Sequence, residues 1–314
     1  MSTLLFQNQP GAWHTVDFPA VSLTRVSWDT APDTAVAFIF FGHMNVDFDG
    51  SPSAYGPPGI NPEPDDDLAN AGNAAQGWFG VAAFAPGDPL VLNGTVLLDQ
   101  RPSLLKQGKF PVVQQAKNDD PNPGFFVSST PHPTGAIYRQ DSYIDASQVP
   151  FGALSGKLKA LGMKLGDYGL ALRHDENFQS PFYFADVGPN NFALGECSHR
   201  VGKDLGGSGS ASSFNNNFPV SFIVFPESGD QDPNAVVTAS VDQIEAGVKS
   251  QLASLSAADN AEDLILLMAF NEASPPNQPQ GKAKLDAFRH NGGQKGSNYA
   301  TVNLGLRTFG LTPP

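Results

Sequence analysis

Apolar residues in this chain come in short runs broken by Gly, Pro, Asn and Asp, which is the pattern of strands joined by turns. TAVAFIFFGHMNVDFDG (34-50) opens with a continuous apolar run and predicts a buried strand that ends at Asp47 and Asp49. Residues 1-33 predict one or two strands and a loop. SPSAYGPPGINPEPDDDLANAG (51-72) is too rich in Pro, Gly and Asp for regular structure, and so long a loop in a compact domain is usually functional. Further strands are predicted over 77-85, 90-99 (with a turn signal at Asn93-Gly94), 124-130, 143-151, 161-175 and 182-185, with a last one in 218-229. GLALRHD and FYFAD, joined by ENFQSP, read as a hairpin, and 206-217 as a flexible connector.

Helical spacing emerges only near the C-terminus. Ser240 and Gln243 form a capping box, and Val241, Ile244, Val248, Leu252 and Leu255 repeat at helical intervals, so 241-255 predicts an amphipathic helix. DLILLMAFNEA (263-273) fits a helix or a strand, and the tail from 275 is rich in Pro, Gly and Asn. The whole predicts a mainly β single domain, 1-314, with a core over about 35-230 and a helical C-terminal extension over 231-314.

Composition sharpens that picture in three ways. With 32 Gly and 27 Pro, turns are dense, and 23 Phe against 6 Tyr and 3 Trp point to a Phe-rich core. A single cysteine forbids an intramolecular disulfide. The net charge of -13 disfavours nucleic acid and anionic membrane as partners and favours a polycation. No apolar run is long enough to span a bilayer, and MSTLLFQNQPGAWHTV lacks the basic and apolar regions of a secretory signal.

Candidate chemistry concentrates in SPFYFADVGPNNFALGECSHRVGKDLG (180-206). A short apolar strand runs into Asp186, a Val-Gly-Pro turn and polar loop follow, and Gly195 and Glu196 precede a helix start at Ser198. Two carboxylates at the ends of one loop are the minimum equipment for acid–base cleavage of a glycosidic bond. The same spacing also suits a turn-forming Asp and a helix-flanking Glu.

The surrounding motifs bear on that choice. GDYG (166-169), ADVGP (185-189), LGECS (194-198) and VGKDLG (201-206) resemble, in order, the motifs of glycoside hydrolase family 75, the chitosanases. NVDFDG (45-50), YIDASQVPF (143-151) and FIVFPESG (222-229) extend the resemblance over roughly 35-230. Cys197-Ser198-His199 departs from it, since small residues are expected there, and His199 is expected on a helix surface. The resemblance implies that Asp186 and Glu196 are the two essential carboxylates of an inverting, cofactor-free endo-hydrolase acting on chitosan or a related aminoglycan; Asp186, at the turn after a buried strand, is assigned as acid and Glu196 as base, an order the sequence leaves open because pKa depends on burial. It implies a six-stranded double-psi β-barrel-like core with long loops; a β-sandwich is the alternative fold. It also implies secretion, for which the chain's start offers no signal.

Other residues stay open between roles. Asp47 and Asp49 are either a turn-forming pair with Gly50 or binders of substrate amines. Asp-x-Asp-Gly opens like a calcium loop but lacks the Glu at the twelfth position. Tyr55 and the acids Asp65, Asp66 and Asp67 are candidates to line subsites. Trp78 and Tyr168 are candidates to stack sugar rings, although strand aromatics are more often core. His43, His174 and His199 lack metal-like spacing, so no catalytic metal is expected. Two rival functions remain: a hydrolase of peptidoglycan glycan strands, and a carbohydrate-binding protein without catalysis. The second has no use for a second carboxylate.

Overall fold

The alternation inside the apolar run decides which way it faces. Ala37 and Ile39 pack with Leu4, Phe6, Val26, Leu170 and Leu172 on one side. Phe38 and Phe40 pack with Trp13, Leu23, Phe182, Phe184 and Phe222 on the other. A strand covered on both faces has no polar face to show, hence the uninterrupted AVAFIFF.

A computed structural model of the chain describes residues 2–15, 18–88, 99–174, 176–188, 193–208, 218–229, 239–273 and 297–313. The expected strand over 90-99 with its Asn93-Gly94 turn falls almost wholly outside them. So do residues 189-192 of the loop after Asp186, most of the connector 206-217, and 274-296 of the tail.

The described fold is mainly β. Strands β1 (Leu4–Thr15), β2 (Phe18–Trp28) and β3 (Ala31–Gly42) form an antiparallel meander, followed by the short β4 (Asn45–Asp47). Two small two-stranded antiparallel sheets follow: β5 (Gly72–Asn73) with β6 (Gly77–Trp78), and β7 (Ala83–Phe84) with β8 (Phe110–Pro111). Next come β9 (Phe151–Leu154), helix α1 (Gly156–Lys159), β10 (Tyr168–Arg173), β11 (Phe178–Val187), β12 (Glu196–Ser198), helix α2 (His199–Asp204) and β13 (Val220–Val224). Helices α3 (Val241–Leu255), α4 (Ala261–Ala273) and α5 (Ser297–Thr308) close the chain.

One nine-stranded sheet, in the order β1-β2-β3-β13-β10-β11-β9-β12-β4, organises the molecule. It is mostly antiparallel, but β9 runs parallel to β11 and β4 parallel to β12. The sheet curls: Leu194 N donates to His14 O at 2.8 Å, and Thr15 bridges Leu194, so the end of the first strand meets the entry to β12. Against six expected strands the sheet has nine among the described residues, two of which, β1 and β2, lie before the core assigned to 35-230.

Two expectations hold, one open assignment is decided, and others change. The hairpin of β10 and β11 forms, with Tyr168 opposite Tyr183. The capping box of Ser240 and Gln243 starts α3, whose Ile244, Val248, Leu252 and Leu255 are buried. Segment 263-273 resolves as helix, since Leu264, Ile265, Leu267 and Met268 are all buried and such a run is apolar all round. By contrast, 34-50 is two strands, because His43 and Met44 interrupt it. Segment 77-85 is two short strands rather than one. Segment 124-130 forms only isolated bridges, at Phe125 with Pro123, Phe126 with Val113 and Ser128 with Val81.

The described residues between 48 and 143 instead build a second small core of Phe48, Tyr55, Val81, Phe84, Leu104, Phe110, Val112 and Phe126. Buried amides replace the missing ladder there. Gln114 Nε2 donates to Pro52 O at 2.7 Å and Phe126 O at 2.9 Å, and Gln140 Nε2 donates to Gly50 O at 2.8 Å. A side-chain amide that reaches several backbone groups satisfies buried polar atoms without a strand partner. Gly50, at φ 86°, is required at this junction, since a Cβ there meets Ile144 O at 1.8 Å.

Candidate active site

Two walls enclose a cleft of about 690 Å³. The sheet wall is built from the ends of β11, β9, β12 and β4, and the loop wall from 49-79.

On the sheet wall, register decides which side chains enter. Glu196 lies opposite Asn45, and Ser198 opposite Asp47, in the parallel pair of β12 with β4. Glu196, Asn45 and Asp47 therefore share the cleft face, while Cys197 turns to the core behind. Asn45 Nδ2 donates to Glu196 Oε1 at 3.3 Å. Asp186 needs a different device. Phe182 and Phe184 point into the core, and strict alternation sends residue 186 there too. A β-bulge intervenes: the register advances from Phe184 opposite Gly152 to Asp186 opposite Ala153. The extra residue re-aims Asp186 to the cleft side with Ala153, as bulges beside active sites do. Val187 N donates to Asp186 Oδ1 at 2.6 Å.

On the loop wall, Asp49 and Asp66 are joined through Tyr55. The Tyr55 hydroxyl donates to Asp49 Oδ1 at 2.5 Å and also reaches Asp66 Oδ2 at 3.3 Å. Asp66 Oδ1 accepts from Asn70 Nδ2 at 2.8 Å and from Asp67 N at 2.7 Å. Asp47 ties the walls together, since its Oδ1 accepts from Asp49 N at 2.8 Å. A Cβ on Gly80 comes within 2.7 Å of Asp49 Oδ1, so the Asp49 carboxylate rests directly on that backbone.

Oxygens of Asp47, Asp49 and Asp186 lie within 4.8 Å of one another. Such crowding in a buried place raises carboxylate pKa values through lost hydration and mutual repulsion. Burial, then the charges of Asp47 and Asp49, pushes Asp186 well above the usual range. Burial and the Asp47 charge do the same to Asp49. Glu196 is raised to about 8 by burial and by Asp47, with the Asn45 amide opposing. Asp47 is raised only to about 6, because the Asp49 amide and a hydrogen bond with Asp186 counter its burial. Both acids are thus pushed toward the protonated form, Asp186 more strongly than Asp47. Asp66 is raised by burial. No Lys, Arg or His lines the cleft among the described residues. The three clustered carboxylates also have the donor chemistry of a hard divalent cation, although each has one oxygen already accepting a hydrogen bond from Asp49 N, Tyr55 Oη or Val187 N.

Six of the ten candidates named from sequence meet here: Asp186, Glu196, Asp47, Asp49, Tyr55 and Asp66. Tyr55 is 2% exposed, so it orients acids from beneath the cleft and offers no ring face to a ligand. Asp67 does not line the cleft; it is exposed, and its Oδ1 accepts from Ala69 N at 2.9 Å, a turn-forming role. Tyr168 does not line it either and packs among Tyr183, Phe151 and Ile244, with its ring over Gly247 of α3. Trp78 is anchored in the second core, donating to Leu104 O at 3.2 Å and Lys109 O at 3.1 Å. His199, expected on a surface, is buried with its ring 4.5 Å from that of Phe48, and burial lowers its pKa. His174 is buried against Ser221, 2.7 Å from its hydroxyl, away from the cleft. Sequence reasoning missed Asn45, Asn70, Gln76 and Phe79, which line the cleft from a strand edge and from turns. Only Asn45 left a signal, sitting two residues before Asp47 on one strand face.

The arrangement can hold protons on buried carboxyls beside an ionised one, the requirement for general acid–base work on a neutral or cationic ligand. Comparison with protein-family models and with curated proteins finds no match for this chain.

Proposed function

We propose that the protein is a glycoside hydrolase that cleaves β-1,4-linked glucosamine polymer by a carboxylate acid–base pair with inversion, as its motif resemblance to family 75 chitosanases suggests. The observation that carries this reading is the convergence of Asp186 and Glu196, from different strands, on one cleft lined by acids and devoid of basic side chains among the described residues. Asp186 is the acid. It is held protonated by burial, with the Asp47 carboxylate as its hydrogen-bond partner. It delivers the proton to the glycosidic oxygen as the bond to the anomeric carbon breaks. Glu196 is the base and takes a proton from the water that attacks the opposite face.

Spacing favours inversion. Asp186 and Glu196 lie on strands separated only by β9, so their backbones stand about two strand intervals, roughly 9–10 Å, apart. Inversion needs about 6.5–9.5 Å between the carboxyl groups and retention about 5–5.5 Å. In the ligand-free cleft Glu196 is held neutral to about pH 8. A cationic amino sugar beside it stabilises its carboxylate and lowers that value, so the base ionises when its own substrate class arrives. Neutral glycans lack this effect, which favours chitosan over peptidoglycan. The double-psi barrel stays part of the proposal: the curled sheet and its parallel β9–β11 and β4–β12 pairs are what support it.

The deciding experiment incubates the protein with chitosan, chitin and purified peptidoglycan, with and without EDTA, and measures new reducing ends. New ends from chitosan alone, unaffected by EDTA, support the proposal. Loss with EDTA assigns the acid cluster to a cation, and no cleavage of any polymer rejects the hydrolase reading.

A further inference from the structure

Six large apolar side chains are exposed among the described residues, and two of them, Phe79 and Val187, line the acidic cleft, one from each wall. Phe79 is 52% exposed in a cleft otherwise bounded mainly by carboxylates and amides. Single exposed apolar residues are ordinary on a protein surface. An aromatic ring held in a polar cleft is different, because it gives the cleft one face that only an apolar surface can match.

The segment bearing Phe79 is pinned on both sides. Phe79 N and Gly80 N both donate to Ala71 O, at 2.9 and 3.0 Å. Before it, Trp78 is locked by its two indole hydrogen bonds and by the Lys106 ammonium 3.7 Å above its ring, and that same ammonium donates to Gly72 O. Across the turn, Asn73 Oδ1 accepts from Ala75 N at 3.0 Å and Gln76 N at 2.8 Å, and Gln107 Nε2 donates to Ala75 O at 2.9 Å. Trp78 is turned into the second core, and Phe79, the next residue, is turned out into the cleft. The backbone beneath Phe79 is thus ordered before any ligand arrives, which reduces the entropy lost on binding.

We infer that Phe79 is the sugar-ring platform of the cleft, packing the C–H face of one pyranose unit while the acids engage that unit's polar edge and its neighbour's glycosidic oxygen. This rests on the glycoside reading above and adds to it the residue that positions the chain. Pyranose rings suit the site because they combine an apolar face with a rim of hydroxyl or ammonium groups. Amphipathic matching of this kind sets register along a polymer and is not acid–base chemistry.

Two readouts keep the inference and the hydrolase reading separable. Calorimetry measures binding of glucosamine hexamer and N-acetylglucosamine hexamer to a Glu196→Gln background, and reducing-end kinetics measure turnover in the otherwise wild-type chain. Phe79→Ala should weaken hexamer binding and raise KM about 3–10-fold, the range of one aromatic contact, with a much smaller change in kcat. Phe79→Trp should restore binding, Phe79→Leu should not, and Leu304→Ala, on the exposed face of α5, should change nothing. If the hexamer binds but Phe79→Ala binds it equally well, the platform assignment is wrong whatever the kinetics. If the hexamer binds and no polymer is cleaved, the hydrolase reading fails and the affinity series still decides Phe79. If neither hexamer binds to the background protein, both fall.

Discussion

The two walls of the cleft hold their acids by opposite means. On the sheet wall, Glu196, Asp47 and Asp186 are aimed by strand register and by one bulge, so the backbone ladder sets their positions. On the loop wall, Asp49 and Asp66 are aimed by Tyr55, Asn70 and nearby amides, so side-chain hydrogen bonds set theirs. The first arrangement tolerates loss of a carboxylate, because the strands remain paired. The second couples function to folding, because the groups that position Asp49 also fill the second core.

The largest expected effect is on the sheet wall. Asp186→Asn and Glu196→Gln should each lower turnover on chitosan by about 10²–10⁴-fold, the usual contribution of one general acid or base. Their melting temperatures should not fall, since the ladder is untouched. A variant that loses activity by unfolding removes the distinction between the walls.

On the loop wall, Tyr55→Phe should lower kcat/KM by about 10-fold and stability by about 1–3 kcal/mol together. It deletes the hydroxyl donor to Asp49 and Asp66 while the ring stays in the core. Unchanged stability measured by urea unfolding shows that Asp49 needs no such partner.

The two walls also share a pH liability. Folded Glu196 keeps its proton to about pH 8 and Asp47 to about 6, whereas in the unfolded chain they lose them near 4.5 and 3.8. Between those limits the folded state binds more protons than the unfolded state, so stability falls as pH rises from about 4 to about 8. The melting temperature should drop across that range, and Glu196→Gln should flatten the upper part of the drop. A wild-type profile that rises over the same range contradicts the buried, neutral carboxyls.

The smallest effect is at the seam. Gly80→Ala forces a methyl to 2.7 Å from Asp49 Oδ1 and 3.0 Å from Ala71 Cα, so Asp49 must move. A destabilisation of about 1 kcal/mol, the low end for an inserted methyl, is expected, with KM raised more than kcat is lowered. Chitosan kinetics and a thermal scan on the same sample check both.

Legibility in the sequence followed the same division. Strands and helices with regular periods were readable: the run 35-41, the hairpin of β10 and β11, and α3 with its capping box. The acids Asp186, Glu196 and Asp47 were singled out by the motifs around them, not by a period. Loop residues were not readable, since nothing periodic separates Asp66, which faces the cleft, from Asp67, which caps a turn. The bulge that turns Asp186 outward is a property of its pairing with β9, which lies some thirty residues earlier, and no local pattern encodes it. Tyr168 misled because its strand is covered by α3, an element distant in sequence. His199 misled because a helix of only six residues, Asp204 at its end, presses its first residue onto Phe48.

Cys197 follows Glu196 on β12 and turns to the opposite face, where it is 1% exposed and burial lifts its thiol pKa. It is the chain's sole sulfhydryl. An alkylating reagent can therefore reach it only while β12 is displaced from its neighbours. The chain carries, one residue from its proposed base, an internal clock for how often that strand opens.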